Sequence, residues 1–357
     1  MSEEVLESFT RQYIQAQPGN EVTFGWQGGE PTLMGIDFFR RAVELQEKYR
    51  RPGMHILNSL QTNATRLDDA WCQFFHDHQF LLGVSLDGPQ ELHDSYRVDR
   101  AGHPTFDRVM AGIDLLKQYK VEFNLLACVN HLTAKQPREV YRFFRDQVGA
   151  KFIQFIPVVE RSLQPGKTVS DRSVNGSDYG SFLKGVFDEW VRTDVGLVYV
   201  QLFDIALAAW SGYPPGLCVY EETCGYGLAL EHNGDLYACD HFVSPEYLLG
   251  NITEKPMVEM VESDQQRRFG EKKSSNLPRK CHACSVRFAC NGGCPKDRLI
   301  KSEDGDPGLN YLCKGFYAFF TYIDRPMCTM AAFLQAGRAP AEIMDILPNE
   351  KSRKRHK

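Results

Sequence analysis

The sequence predicts an α/β protein: a parallel sheet of the (β/α) barrel type, whole or partial, followed by a cysteine-rich region organised around metal. Between residues 21 and 156 short β-type runs alternate with stretches of helical periodicity. Such alternation makes βαβ units, which keep their strands parallel and put ligand sites at the strands' C-terminal ends. Eight of the eleven cysteines lie between Cys218 and Cys313. The length, 357 residues, suits two domains or one large α/β domain with an appendage.

The elements follow in order. Val5, Leu6, Phe9, Tyr13 and Ile14 form an apolar stripe at helical spacing, so residues 3–16 read as an amphipathic helix. Residues 21–26 form a first strand, 36–50 a helix, 55–62 a second strand and 68–78 a helix. A third strand covers 81–86, a helix 105–119, a fourth strand 121–129, a helix 136–147 and a fifth strand 152–156. From 162 to 177 the chain turns polar and rich in Ser, Gly, Asp and Pro, which marks a linker or excursion loop. Residues 178–194 read as a helix, the cysteine-rich part has few long periodic runs, and a last helical stretch is expected over 314–345. The resulting division is 1–195, 196–325, and a C-terminal helix with a basic tail over 326–357.

Composition excludes several classes. The chain is 43% hydrophobic and 24% charged, ordinary for a globular protein. A formal charge of −5 argues against a general nucleic-acid binder. No apolar run reaches the roughly eighteen residues that span a bilayer, so no membrane partner is expected. The start, Met1-Ser-Glu-Glu, is acidic and helical, unlike a signal peptide. The tail over 351–357 reads as a solubilising terminus rather than an anion-binding arm. Clustered cysteines in such a protein point to metal rather than disulfides, and to a cytoplasmic location.

The densest signal is Cys281-His-Ala-Cys284-Ser-Val-Arg-Phe-Ala-Cys290-Asn-Gly-Gly-Cys294-Pro295, with Cys313 following. Thiolates hold zinc or iron–sulfur clusters, and two-residue gaps let two sulfurs reach one metal. Gaps of two, five and three residues differ from the paired Cys-x-x-Cys of a zinc ribbon, and Cys294-Pro295 echoes ferredoxin-type runs, which favours iron–sulfur. Gly292 and Gly293 let the backbone close round a bulky inorganic core. With Cys218, Cys224 and Cys239, the thiolates number eight, enough for two four-cysteine clusters. Cys72, Cys128 and Cys328 read as structural.

Three strand ends carry suggestive chemistry. Gln27-Gly28-Gly29-Glu30-Pro31 leaves the first strand, with exposed carbonyls for a ligand ammonium and the charge of Glu30; an ordinary Gly-rich turn has the same look. Gln61-Thr62-Asn63 ends the second strand and is weak alone. Ser85 and Asp87 end the third, and Arg97 in the next loop could grip a carboxylate or be a plain surface arginine. Asp240, next to Cys239, is a base if partly buried, or a hairpin aspartate; His241 is its neighbour for any proton relay.

Together, Trp26-Gln-Gly-Gly-Glu-Pro-Thr32, Gln61-Thr-Asn63, Ser85-Leu-Asp-Gly-Pro89, the Cys218/Cys224/Cys239-Asp240 group and the Cys281–Cys294 run with Cys313 resemble the radical S-adenosylmethionine (SAM) superfamily with a C-terminal SPASM domain. More narrowly, residues 1 to about 345 resemble the anaerobic sulfatase-maturating enzymes. The resemblance implies a partial (β/α)6 barrel and two auxiliary 4Fe-4S clusters, one on Cys218, Cys224, Cys239 and Cys294, the other on Cys281, Cys284, Cys290 and Cys313. It also implies that Gly28, Gly29 and Glu30, with Gln27 beside them, receive the amino group of SAM. Ser85 and Arg97 would hold its ribose and carboxylate end, and Val158 and Val159 would pack near adenine. The implied reaction converts the Cys or Ser of a sulfatase Cys/Ser-x-Pro-x-Arg motif to Cα-formylglycine. A 5′-deoxyadenosyl radical would abstract a Cβ hydrogen, Asp240 would take the thiol or hydroxyl proton, and the surplus electron would leave through the auxiliary clusters. A reductant such as flavodoxin or ferredoxin is implied.

One piece of the pattern is absent. The family builds its radical on a cluster held by a Cys-x3-Cys-x2-Cys loop after the first barrel strand, whereas the first cysteine here is Cys72. That strand and loop are expected upstream of Met1, and the chain as written is not expected to cleave SAM reductively. Other readings are a different SPASM peptide-modifying enzyme, or a non-catalytic iron–sulfur or zinc protein that carries electrons or binds a partner.

Overall fold

A computed structural model describes residues 1–347; the basic tail lies outside them. In chain order the elements are α1 (Glu3–Ala16), β1 (Glu21–Trp26), α2 (Ile36–Tyr49), β2 (His55–Thr62), α3 (Asp69–Asp77), β3 (Leu81–Ser85), α4 (Gln90–Asp94), α5 (Phe106–Gln118), β4 (Phe123–Val129), α6 (Pro137–Arg142), β5 (Phe152–Pro157), α7 (Gly176–Thr193), β6 (Tyr199–Val200) and α8 (Gln201–Trp210). They are followed by β7 (Ala229–Leu230), β8 (Asp235–Tyr237), β9 (Leu248–Asn251), α9 (Met257–Val261), α10 (Asp264–Ser275), α11 (Arg279–His282), α12 (Arg287–Cys290), α13 (Cys313–Gln335) and α14 (Ile343–Ile346). Strands β1 to β6 form one sheet in sequence order, and β7 to β9 a second.

The expected parallel α/β sheet is present. Glu21 pairs with His55 and Trp26 with Leu60 in parallel register, and β2 with β3, β4 with β5 and β5 with β6 are parallel too. The sequence reading of five strands missed β6, two residues long and too short to show any alternation. The chain clusters into two compact units. One comprises Met1–Val84, Arg108–Phe123 and Glu222–Ser275; the other comprises Ser85–Asp107, Asn124–Glu221 and the chain from Asn276 onward.

In the first unit, Ser2 caps α1 by accepting from the Val5 N–H, with Glu3 and Glu4 in the first turn. The expected stripe turns inward: Val5 packs with Leu236, Ile252, Met257 and Met260, and Ile14 with Val22, Phe24 and Met54. Helix α1 therefore joins the barrel strand β1 to the small antiparallel sheet of the same unit. Strand β8 pairs with both β7 and β9, so the hairpin foreseen around Gly234–Cys239 exists.

In the second unit, α7 and α13 meet at glycines. A Cβ on Gly180 would sit 2.8 Å from the Gly315 Cα, so the helix backbones touch, and Cys313 at the start of α13 is fixed by that contact. Two expectations change here. The helix of residues 136–147 is α6 continued by a π-helical segment, Phe143–Val148, ended by left-handed Gly149. The last helix stops at Gln335 instead of running to 345, because Gly337 takes φ 70° and Pro340 follows.

Candidate functional site

Residues 27–29 at the end of β1 are exposed. Gly28 and Gly29 have φ of 103° and 56°, and a side chain at either would be strained. Glu30 is busier than the sequence suggests. Its Oε1 accepts from the Thr32 N–H and hydroxyl (3.2 and 2.8 Å) and the Thr62 hydroxyl (2.7 Å), and its Oε2 accepts from the Asn63 N–H (2.7 Å). The carboxylate thus ties the β1 loop to the end of β2, which joins two of the stretches that looked weak alone.

Ser85 is buried at the end of β3, and Arg97 is no plain surface arginine. Its Nε and Nη2 grip Asp87 bidentately (2.6 and 3.0 Å), and Nη2 also meets Cys128 Sγ at 3.4 Å. Asp87 Oδ1 accepts the Cys128 N–H at 2.8 Å. The Asp87 N–H donates to His93 Nδ1 (3.3 Å), which leaves the His93 proton on Nε2 for Thr105 Oγ1 (3.0 Å); the Thr105 hydroxyl donates to the Arg97 carbonyl (2.7 Å). A closed circuit of four residues therefore sets where Arg97 stands. Burial, then the Arg97 charge, drives His93 down to about 4 against the pull of Asp87 and Asp94, so it is neutral at pH 7. Neither His93 nor Cys128 had a sequence signal: each sits in an ordinary amphipathic pattern. Val159 is buried, and half-buried Val158 donates its N–H to the Val129 carbonyl (3.0 Å).

The structure keeps four of the cysteines in one neighbourhood of the second unit. Burial pushes the Cys290 thiol up to about 12, and the charges of Cys313, Cys281 and Cys284 reach it. Cys281 and Cys313 are raised as well, by burial first, with Arg298, Arg287 and Lys280 opposing at Cys281. Left-handed Asn291, Gly292 and Gly293 turn the chain sharply between Cys290 and Cys294. A side chain on Gly293 would strike Asn310 Nδ2 at 2.5 Å. Among the described residues no disulfide joins any of the eleven cysteines. Soft donors gathered, partly buried and not oxidised to disulfides fit a metal centre that would hold them as thiolates. Cys218 and Cys294 are neighbours in the same unit, with Cys294 pushed up to about 11 by burial. Cys72 is buried as expected, while Cys328 is exposed on α13, so it is not a core residue.

Cys224 and Cys239 belong to the first unit. The Cys239 thiol donates to Asp240 Oδ1 at 3.2 Å, and donor atoms of Cys239, Asp240 and His241 lie within 4.8 Å of one another. Asp240 is exposed here, not partly buried as the sequence reading required. Its N–H donates to the Gly227 carbonyl (3.1 Å), which holds the loop in place. Among the described residues no helix is long and apolar enough to cross a membrane.

Comparison with known proteins accounts for this combination. Residues 1–144 match the Radical SAM superfamily, and residues 218–285 match SPASM, an iron–sulfur cluster-binding domain. The chain is 46% identical to a serine-type anaerobic sulfatase-maturating enzyme of Bacteroides thetaiotaomicron, over 97% of this chain and 86% of that one. It is 37% identical to a cysteine-type enzyme of Clostridium perfringens, over 90% and 86%. The solved structure of native anSMEcpe with bound AdoMet and Cp18Cys peptide superposes with a TM-score of 0.86 at 35% identity, covering 94% of this chain and 92% of that one. A parallel α/β sheet, a gathered cysteine quartet, an aspartate beside a cysteine and near full-length similarity together make this chain a member of the anaerobic sulfatase-maturating enzymes of the radical SAM superfamily.

Proposed function

We propose that this protein oxidises the Cys or Ser of a Cys/Ser-x-Pro-x-Arg motif in a sulfatase polypeptide to Cα-formylglycine, with SAM and 4Fe-4S clusters as cofactors. The observation that carries the reading is the place of Asp240, directly after Cys239 and with its N–H held by the Gly227 carbonyl at 3.1 Å, in a chain of this family. SAM with a reducing 4Fe-4S cluster, whose Cys-x3-Cys-x2-Cys ligands are not among these 357 residues, would supply removal of one hydrogen atom from the target Cβ, and the auxiliary clusters would supply a sink for one electron. Asp240 takes the remaining proton from the target oxygen or sulfur, so a serine alcohol loses two hydrogens in all and becomes an aldehyde. A cysteine gives a thioaldehyde, which water converts to the aldehyde with release of sulfide.

The other residues bind and orient. Gly28 and Gly29, with Gln27 alongside, would take the SAM ammonium on backbone carbonyls, while Glu30 fixes that loop and adds negative charge. Ser85 and Arg97 would hold the ribose and carboxylate end, and Val158 and Val159 would cover the adenine. Cys218, Cys224, Cys239 and Cys294 would hold one auxiliary cluster, and Cys281, Cys284, Cys290 and Cys313 the other. Identities of 46% and 39% to serine-type enzymes, against 37% to a cysteine-type one, support a serine target. The working compartment would be the cytoplasm, with flavodoxin or ferredoxin as electron donor.

The test uses protein isolated from its own cells, reconstituted anaerobically with iron, sulfide and SAM, and given a short peptide carrying Ser-x-Pro-x-Arg. The expected product has lost two hydrogens and reacts with a hydrazine. A preparation that forms 5′-deoxyadenosine yet leaves both the Ser and the Cys peptides unchanged would sink the proposal.

A further inference from the structure

Helix α10 is almost wholly polar, yet Gln266, Gly270 and Lys273 on it are buried. These positions, four and then three residues apart, share one face of the helix. Gln266 and Gly270 on that face meet the pair of loops carrying Cys224 and Cys239. The Gln266 side-chain Nε2 donates to the carbonyl of Gly225, directly after Cys224 (2.7 Å), and to the carbonyl of Ala238, directly before Cys239 (3.1 Å). Both partners only accept, so the amide nitrogen must face them and the orientation of the side chain is settled. Its Oε1 is then buried without a partner, a cost that native proteins rarely carry without a reason. One turn on, the Cys224 N–H donates to the Gly270 carbonyl at 3.3 Å, and a Cβ on Gly270 would collide with the Cys224 carbonyl oxygen.

We infer that Gln266 is a positioning residue for Cys224 and Cys239, clamping the two loops so that both sulfurs are set before a cluster arrives. The inference rests on the reading of these cysteines as ligands of one auxiliary cluster. Gly270 completes the clamp by admitting the Cys224 loop against the helix backbone. A structural amide would serve any fold of this unit; a ligand-setting one acts on one cluster and not the other. That difference is measurable because the Cys281, Cys284, Cys290 and Cys313 quartet belongs to the other unit.

The experiment compares wild type with Gln266→Glu, Gln266→Ala and Gly270→Ala in the 357-residue chain, whose cysteines suffice for the two auxiliary clusters, reconstituted anaerobically with ferrous iron and sulfide. Glutamate keeps the shape but turns an oxygen towards two carbonyls; alanine removes the clamp; Gly270→Ala pushes Cys224 away without touching the amide. Iron and acid-labile sulfide per chain, the electron paramagnetic resonance spectrum after reduction, and the midpoint potential are the readouts. Wild type should hold about eight irons and each variant about four, with one spectral component lost. Cys290→Ser should lose the complementary component. Variants that match an eight-iron wild type in content, spectrum and potential overturn the role of Gln266. Equal loss of both components does so too, since the effect would then be general unfolding. A wild-type chain holding only about four irons overturns the two-cluster reading itself, which keeps the two failures apart.

Discussion

Acid should weaken this fold through one residue in particular. His93 is fully buried, its Nδ1 is committed to accepting the Asp87 N–H, and its Nε2 is committed to Thr105. Protonating Nδ1 would set one N–H against another inside the protein, beside the Arg97 guanidinium. The unfolded chain has no such restraint and takes the proton near 6.5, while the folded chain takes it near 4. Between those values the unfolded state binds one proton more, so stability falls as pH is lowered from about 6.5 and stops falling on this account below about 4. At about 1.4 kcal/mol for each pH unit, the interval corresponds to about 3 kcal/mol. The His93→Gln variant keeps one side-chain donor and one acceptor but cannot titrate. Urea unfolding of the iron-free chain, followed by tryptophan fluorescence at several pH values from about 7 to about 4, gives the dependence for both proteins. Other histidines and carboxylates contribute alike to each, so the difference isolates His93. Parallel stability curves for wild type and variant over that window would show that the circuit does not hold His93 neutral.

The same circuit predicts that Asp87→Ala, which leaves the Arg97 charge and the Cys128 N–H without their partner, lowers unfolding stability by about 3–5 kcal/mol. The double variant with Arg97→Ala should cost clearly less than the two single losses added, as urea unfolding of the four proteins would reveal. Asp240→Asn in the native protein should slow formylglycine formation by about 10²–10⁴-fold while 5′-deoxyadenosine continues to form, both followed by mass spectrometry. A polypeptide of these 357 residues contains no Cys-x3-Cys-x2-Cys loop. It is therefore expected to release no 5′-deoxyadenosine above background when reconstituted with SAM and dithionite, as measured by liquid chromatography.

The parts of the molecule that were legible in the sequence share a physical cause: each imposes a repeated constraint on residue type. The barrel alternation requires apolar residues at two different periods, and α1 shows its buried face in five residues. The metal region requires thiolates, which few other demands would cluster so tightly. Strand β6 was lost because two residues carry no period, and the end of α13 because its apolar pattern continues past Gly337, where the backbone turns. The strand-end residues Ser85, Asp87 and Arg97 were found as isolated types but not as a network. Nothing in Ser85-Leu-Asp-Gly-Pro89 says that Asp87 is already spent on Arg97 and on the Cys128 N–H.

Helix α10 shows the limit most plainly. A buried glutamine, glycine and lysine at 266, 270 and 273 look from the sequence like the solvent face of a polar helix, because hydropathy scores burial by side-chain type. What Gln266 and Gly270 meet is backbone: the carbonyls after Cys224 and before Cys239 want a donor, and the Cys224 carbonyl wants a gap, not a hydrocarbon. A loop region whose order comes from metal offers little apolar surface, here Phe242 and Tyr247 against the single ring of Phe269, so most of the supporting face can be polar. Polar helices packed against cysteine loops are for that reason the places where sequence patterning fails and where residues that position metal ligands should be sought.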